Sequence, residues 1–518
     1  MLDISARFRY YGGMRRTTLL CPLALVCFLT VSPSPTPRAQ RSTPISEKQA
    51  EFLMQMTMPN GLLPRWGANP PQDSLSLLLY AADAYRREDM RWVATRGKKG
   101  RRPTQTATAF PETGYYVLRS GWEPKAVFLV IHNGPDDAHS HFDANSLVLT
   151  AFGRELLIDP GDSPEVSGMN RTLSHNTVTM DDLNSHGATT PAALQNGTLL
   201  AVYDGTNSGF GGAMDDTTAR HRRRIVYIRP AQFLVVDDLT AGKPHDWTLR
   251  FHFAPGELIS RPSAQQTLFA AAVAVPSAAG QPLDPNAADV ARLPGGLLIW
   301  SQDDRKPVMG RGPAVSASGR LFETPRASWT IPQAKTAHFA TLLAPFGEAP
   351  ALDQRMVKAD RDGATVAYGP IDSLVTETIR VKPRQARTES PPSRFSTGLD
   401  TDAEVAFLRC GPFVRDSIDD SAPRIPYALA VTHATRLAWQ GEPRPLTNRP
   451  ANAPTQNLFT ASRPVSLLEA VWQKDTLVVN VTGGGDVRLA AFAARWLVVN
   501  GRPRVPIPPD SPFVSVTP

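Results

Sequence analysis

Residues His139–Asp182 read HSHFDANSLVLTAFGRELLIDPGDSPEVSGMNRTLSHNTVTMDD. Three short apolar runs in this stretch, Ser146–Leu149, Leu156–Ile158 and His175–Met180, have the length and β-branched content of strands. Phe152-Gly153 and Asp159-Pro160-Gly161 break them as turns. The stretch therefore predicts consecutive antiparallel strands, with polar residues gathered where the strands end.

Those polar residues could carry chemistry. Four of the ten histidines lie between 132 and 175. His139 and His141 are two apart, and on a strand both would point to one face. Asp159 ends one run and His175 begins another, and a sheet brings such ends together. Two imidazoles and a carboxylate suit Zn²⁺ with an open fourth position. Asp143 or Asn145 could then orient a ligating imidazole. The same spacing also fits hydrogen-bonded polar residues at a sheet edge, and spacing by itself leaves both readings open. A serine hydrolase fits less well, because no G-x-S-x-G is present and Ser174 cannot face its neighbour His175 from adjacent strand positions. Arg171 and Arg119 could each hold a carboxylate bidentately, or be structural or surface arginines.

Outward from this stretch, strand-like runs continue at Tyr116–Ser120, Val127–Ile131, Thr198–Tyr203, Arg224–Ile228, Phe233–Val236, Thr248–Phe253, Leu297–Trp300 and His338–Leu343. Residues 110–384 are read as one large β-sandwich domain. Before it, residues 40–97 form a short helical segment. Ser46 caps a helix to about Thr57, a second starts near Asp73, and a third spans Met90 to Ala94. Three short helices cannot bury their apolar faces alone and must lean on the sandwich. Residues 98–109, with the basic run RGKKGRR at Arg96–Arg102, read as a solvated linker, and 385–395 as a second one. Residues 396–518 carry further strand signals, among them Leu467–Trp472 and Thr476–Val481, and are read as a small C-terminal β domain. Gly483-Gly484-Gly485 reads as a turn and not a phosphate cradle. The fold class is mainly β, a large antiparallel sandwich between a helical segment and a small β domain.

Composition is that of a globular protein: 518 residues, 42% hydrophobic, 20% charged, 48 prolines. The formal charge of +7 includes a net +4 from residues 1–39, which leaves about +3 for the remainder. That is too weak and too scattered for a nucleic-acid binder, and an acidic polysaccharide is compatible with it. Met14-Arg15-Arg16 followed by the apolar Thr17–Val31 and a small-residue site at Ala39 predicts a secretory signal over residues 1–39. Its removal leaves Cys410 as the single cysteine, so no internal disulfide is expected. Export without disulfides predicts a bacterial periplasmic or secreted protein, with no membrane association once the signal is gone.

The runs YYVLRSGW (Tyr115–Trp122), HSHFDANS, AFGRELLIDPG and RTLSHNTV, followed by RRRIVYIRPAQFLVVDDL (Arg222–Leu239) and FHFAPG (Phe251–Gly256), resemble the heparinase II/III-like polysaccharide lyases in content and order. The likeness covers roughly residues 45–385. It implies an (α/α) toroid joined to a β-sandwich, and β-elimination of a uronic-acid-containing anionic polysaccharide. It further implies a structural metal, usually zinc, on His141, Asp159 and His175, with His139 near the substrate, which leaves Arg171, read from its residue type, to face the substrate as well. The 50 or so helical residues, with MPNGLLPRWG at 58–67, resemble only the toroid's last helices. A tyrosine often serves as the acid in this family, yet none occurs between Tyr116 and Tyr203. The rest of the cleft would then come from a partner chain or another copy, or the chain is a catalytically incomplete member that binds carbohydrate or assists assembly.

Overall fold

The structure is a computed structural model. It describes residues 45–66, 74–134, 141–187, 190–210, 216–261, 266–271, 295–301, 305–316, 319–347, 356–360, 363–368, 375–381, 399–411, 425–440, 455–492, 494–509 and 511–518. The expected signal (1–39) and the expected second linker (385–395) lie outside these residues. No helix among them is long and apolar enough to cross a membrane.

Helix α1 spans Glu47–Met56, α2 Ser74–Ala84 and α3 Glu88–Ala94. Ser46 starts α1 with a reciprocal capping box, its Oγ accepting from Gln49 N and its own N–H donating to Gln49 Oε1. Ala50, Leu53, Leu78, Ala82 and Met90 pack the helices on one another. Phe52 and Met56 turn instead to the neighbouring sheet, as the sequence required of helices this short.

Three sheets follow. The first is an antiparallel meander of β1 (Ala107–Phe110), β2 (Tyr115–Arg119), β3 (Phe128–His132), β4 (Ser146–Ala151) and β5 (Arg154–Leu157). Pairing thus begins at Ala107, inside the stretch read as a linker. The second sheet holds β6 (Val178–Met180), β7 (Ala193–Asn196), β8 (Leu200–Asn207), β9 (Arg220–Ile228), β10 (Gln232–His252), β11 (Gly256–Arg261), β12 (Gln266–Ala271), β13 (Gly296–Ser301), β14 (Val308–Val315) and β15 (Leu321–Phe346). Its order is β11-β12-β13-β15-β10-β9-β8-β7, with β14 on β15 and β6 on β10. The third sheet has 12 strands among the described residues, from Met356 to Val516. Strands Val375–Val381 and Val405–Gly411, on either side of residues 385–395, pair directly in it.

Period-two alternation explains the layering. On β2 and β3, Tyr116, Leu118, Leu129 and Ile131 face the second sheet, while Tyr115, Val117, Phe128 and Val130 face the helices. On β9 and β10, Ile225, Tyr227, Phe233 and Val235 face the first sheet, while Val226, Ile228, Leu234 and Val236 face the third. Each such side chain contributes about 1.5–3 kcal/mol by leaving water. Two expected strands, Phe233–Val236 and Thr248–Phe253, are one continuous strand, β10. Register shifts between Thr240 and Trp247 interrupt its pairing with β15 without ending it, and they explain the break in the sequence pattern.

Two polar contacts lock the layers. Arg119 is buried, stacks on Trp122 at 3.7 Å, and donates to the Gln55 carbonyl at 2.6 Å. Burial pushes its pKa down to about 9. It fastens the end of α1 to β2, so of the two readings left open for Arg119 the structural one holds. On the other side Glu469, also buried, accepts from the N–H groups of Thr198, Leu199 and Leu200 and from Thr198 Oγ1, at 2.6–3.1 Å. One carboxylate of the third sheet thereby satisfies a whole turn of the second. Glu469→Ala leaves three N–H donors without partners, and a loss of about 3 kcal/mol is expected. A urea midpoint within error of wild type would show that the turn finds other acceptors.

Candidate active site and metal centre

The three site residues sit on loops that leave strand ends. His141 lies in the irregular segment before β4, anchored by Phe142 N–H to Asn170 O at 2.9 Å. Asp159 follows β5, where Ile158 N–H donates to His252 O at 3.0 Å. Gly161 then turns the chain at φ +78°, a left-handed conformation that suits glycine, and its N–H donates to Asp159 Oδ1 at 3.0 Å. His175 ends a single 3₁₀ turn, Thr172–Ser174. The sequence placed His141 and His175 within strands. Neither is, because residues 141–143 have no strand pairing and the strand after His175 starts only at Val178.

Asn176 holds this end of the sandwich closed. Its Nδ2 donates to Leu147 O and Ile158 O at 2.7 and 2.8 Å, and its Oδ1 accepts from His252 N at 2.6 Å. The loop carrying His175 is thus tied to β4, to the Asp159 loop and to β10 at once.

One potential ligand atom each from His141, Asp159 and His175 all lie within 4.8 Å of one another, and all three residues are buried. His175 Nδ1 is 2.7 Å from Asp159 Oδ2. Burial alone would pull the His175 pKa down, but the adjacent Asp159 carboxylate outweighs it and holds the imidazole above its ordinary value. With Nδ1–H given to Asp159, Nε2 of His175 offers a lone pair and has no hydrogen-bond partner. Both ring nitrogens of His141 are likewise buried without one. Asp162 stands 3.8 Å from His141 Nε2 at the edge. Orphaned buried nitrogens are costly. Two such imidazoles converging beside a carboxylate are the donor set zinc takes, so the residues fit the metal.

The other expected residues fall elsewhere. His139 lies outside the described residues. Arg171 is close by, and its guanidinium donates to the Asp182 carbonyl at 3.0 Å. Asp143 pairs with His132 Nδ1 at 2.8 Å, and Asn145 takes the Tyr203 hydroxyl at 2.9 Å. Neither orients His141 or His175 by a hydrogen bond, which corrects the role expected for them.

Behind the site lies a network the sequence reading did not single out. Arg223, fully buried, donates to both oxygens of Asp237 at 2.7 and 3.1 Å, and to the carbonyls of Asn145 and Asn176 at 2.7 Å each. His221 Nε2 lies 2.6 Å from the same carboxylate. The signal was available: in Arg220–Ile228, His221 and Arg223 share the parity of the inward Ile225 and Tyr227. His252, also buried, contacts Leu173 O at 3.2 Å, and burial beside His175 drives its pKa down to about 3.

The fold and the site define a β-sandwich with a buried His–Asp–His cluster at one end. A family model described as "Heparinase II/III-like, C-terminal" matches residues 102–331. Over this region the chain is similar to the heparinase II/III-like family. The heparin-sulfate lyase of Pedobacter heparinus is 28% identical over 162 residues, 29% of this chain and 23% of that protein. That of Bacteroides thetaiotaomicron is 24% identical over 193 residues, 33% of this chain and 26% of that protein. Among solved structures, the heparan sulfate lyase HepC of Pedobacter heparinus shares the fold at TM-score 0.51 and 17% identity, covering 70% of this chain and 51% of that one. The chain therefore spans about half the length of that solved relative, and its matches cover about a quarter of the curated ones.

Asp237 supplies a pH test of the frame. Although burial alone would raise its pKa, Arg223 and His221 hold it far below the ordinary carboxylate value. Its contribution to stability is present above the unfolded pKa, about 3.9, and is lost as pH falls below that toward the folded value. Asp237→Asn should cost about 3–5 kcal/mol at neutral pH, because Arg223 is left buried and unpaired. It should also flatten the fall in urea midpoint below about pH 4. An unchanged acid limb would mean that other carboxylates govern acid unfolding.

Proposed function

We propose that this chain is an exported polysaccharide lyase that acts on a uronic-acid-containing anionic glycan by β-elimination. The observation that carries the reading is the convergence of His141, Asp159 and His175, three nitrogens of which have no hydrogen-bond partner, inside a domain of a family whose matched relatives are heparin-sulfate lyases. His141, Asp159 and His175 would hold zinc, which would supply fixed positive charge and keep the three loops in one arrangement. The apolar run Thr17–Val31 behind Met14-Arg15-Arg16 supports export.

Elimination removes the C5 proton of a uronate and expels the sugar linked at C4. The developing negative charge spreads onto the C6 carboxylate, so cationic donors must face that group. A base takes the proton and an acid returns one to the leaving oxygen. In this reading His139 faces the substrate, and Arg171, beside His175, supplies positive charge. In this reading the remaining groups of the cleft come from residues of a helical toroid, in this protein or in a partner chain.

One observation favours a second reading, a family member that binds glycan or assists assembly without turnover. Tyr116, Tyr203 and Tyr227 are each fully buried in the sandwich, and burial raises the pKa of each. None of them can reach a sugar to act as the acid.

Turnover of heparin-type or alginate-type polymers should yield an ultraviolet-absorbing unsaturated uronate, and binding of the same polymers without that absorbance would select the second reading. Elemental analysis should find zinc in the wild type at about one per chain and little in His141→Ala and His175→Ala. Equal metal in all three proteins would discard the ligand assignment.

A further inference from the structure

The outer face of the second sheet, next to the site, carries an arginine with no evident structural task. Arg326 lies on β15 directly opposite His252 of β10 on one side and Gly310 of β14 on the other. Directly opposed residues share a face, about 5 Å apart. His252 touches the His175 loop through Leu173 and Asn176, and the Asp159 loop through Ile158. The same hairpin reaches the D-P-G turn, where Val315 N–H donates to Pro160 O at 2.9 Å. Arg326 therefore borders the His141/Asp159/His175 cluster.

Its surroundings are unusual for a surface arginine. Arg65 pairs with Glu155, Arg250 with Asp182, Arg222 with Asp204, and Arg311 approaches Glu323 at 3.9 Å. Arg326, although exposed, has no carboxylate within salt-bridge distance among the described residues. Gly310 and Gly312 lie beneath it, and a Cβ at either would stand 3.4 Å from its guanidinium nitrogens. Their missing side chains leave a shallow trough along which the guanidinium lies. The rest of this face is hydroxylic and cationic. Thr248 and Thr330 pair at 3.0 Å, and Arg250 donates to Thr179 as well as to Asp182. Arg171 turns to the Asp182 carbonyl, so Arg171 and Arg250 both bind Asp182 and leave Arg326 without an anion.

We propose that Arg326, lying over the Gly310–Gly312 trough, is an anion-binding subsite for a carboxylate or sulfate on the sugar next to the His141/Asp159/His175 site. This assignment rests on the anionic-glycan reading above and deepens it. A planar guanidinium with free donors takes either oxyanion bidentately, whereas lysine offers only a point charge. The trough keeps the fork open on the face a chain would cross.

The test is equilibrium binding of the full chain to heparin, carboxyl-reduced heparin and desulfated heparin. Arg326→Gln should weaken binding to heparin about tenfold, with Arg326→Lys intermediate. Gly310→Val keeps the charge but fills the trough, and should weaken binding in the same direction. Arg311→Gln, a neighbouring exposed arginine, should leave the affinity near wild type. A loss that persists with desulfated heparin assigns the subsite to carboxylate, and one that persists only with carboxyl-reduced heparin assigns it to sulfate. If Arg326→Gln binds all three polymers as wild type does, or if Arg311→Gln loses as much, the subsite is overturned while the glycan reading stands. A wild type that binds none of the three overturns both.

Discussion

Arg223 is a full positive charge inside the sandwich, and the site depends on how that charge is satisfied. Removing a guanidinium from water costs several kcal/mol unless an anion and further acceptors meet it. Asp237 meets it from the neighbouring strand, and His221 shares that carboxylate. The remaining donors go to the carbonyls of Asn145 and Asn176. Asn145 ends the loop that carries His141, and Asn176 follows His175 directly. The ion pair therefore fixes two of the three loops from behind, at the point where strand pairing has stopped. Asp159 reaches the same place from β5, held by His175 and by the Gly161 amide. His141 has no hydrogen bond within the cluster, so its convergence on the other two residues depends on such a frame.

Most of the layering was legible in the sequence. Alternation within Tyr115–Arg119, Phe128–His132 and Arg220–Ile228 marks strands, and apolar residues at both parities mark burial on both faces. The capping box at Ser46 was legible for the same local reason. What was not legible depends on distant partners. β10 and β15 run for 21 and 26 residues because neighbours support them across their irregular stretches, and no local signal records that support. The loop bearing His175 looked like strand because Thr177–Met180 after it are β-prone; Arg223 takes the Asn145 and Asn176 carbonyls, at the ends of the His141 and His175 loops, away from any ladder.

The candidate site divides in the same way. The convergence of His141, Asp159 and His175 followed from sequence order together with the family resemblance, and the structure brings their ligand atoms together. The duties expected of Asp143 and Asn145 failed on proximity: adjacency in sequence did not place them beside the imidazoles, because His132 and Tyr203 claim them first. Arg326 carried no sequence signal. Its position is visible only in the pairing that sets it between His252 and Gly310.

The alternation described for β9 and β10 has a consequence for how this sequence can vary. A strand buried on one face tolerates a slip of register at the expense of one core. The middle sheet here serves two cores, so a single-residue insertion within it would exchange both sets of side chains together. Sequence change that alters length is therefore pushed out of the strands and into the connections at their ends. The first sheet likewise packs on both faces, and the connections at its strand ends carry His141 and Asp159, with His175 in the link to the second sheet, so the rigidity of the sandwich and the adaptability of its site come from the same restriction.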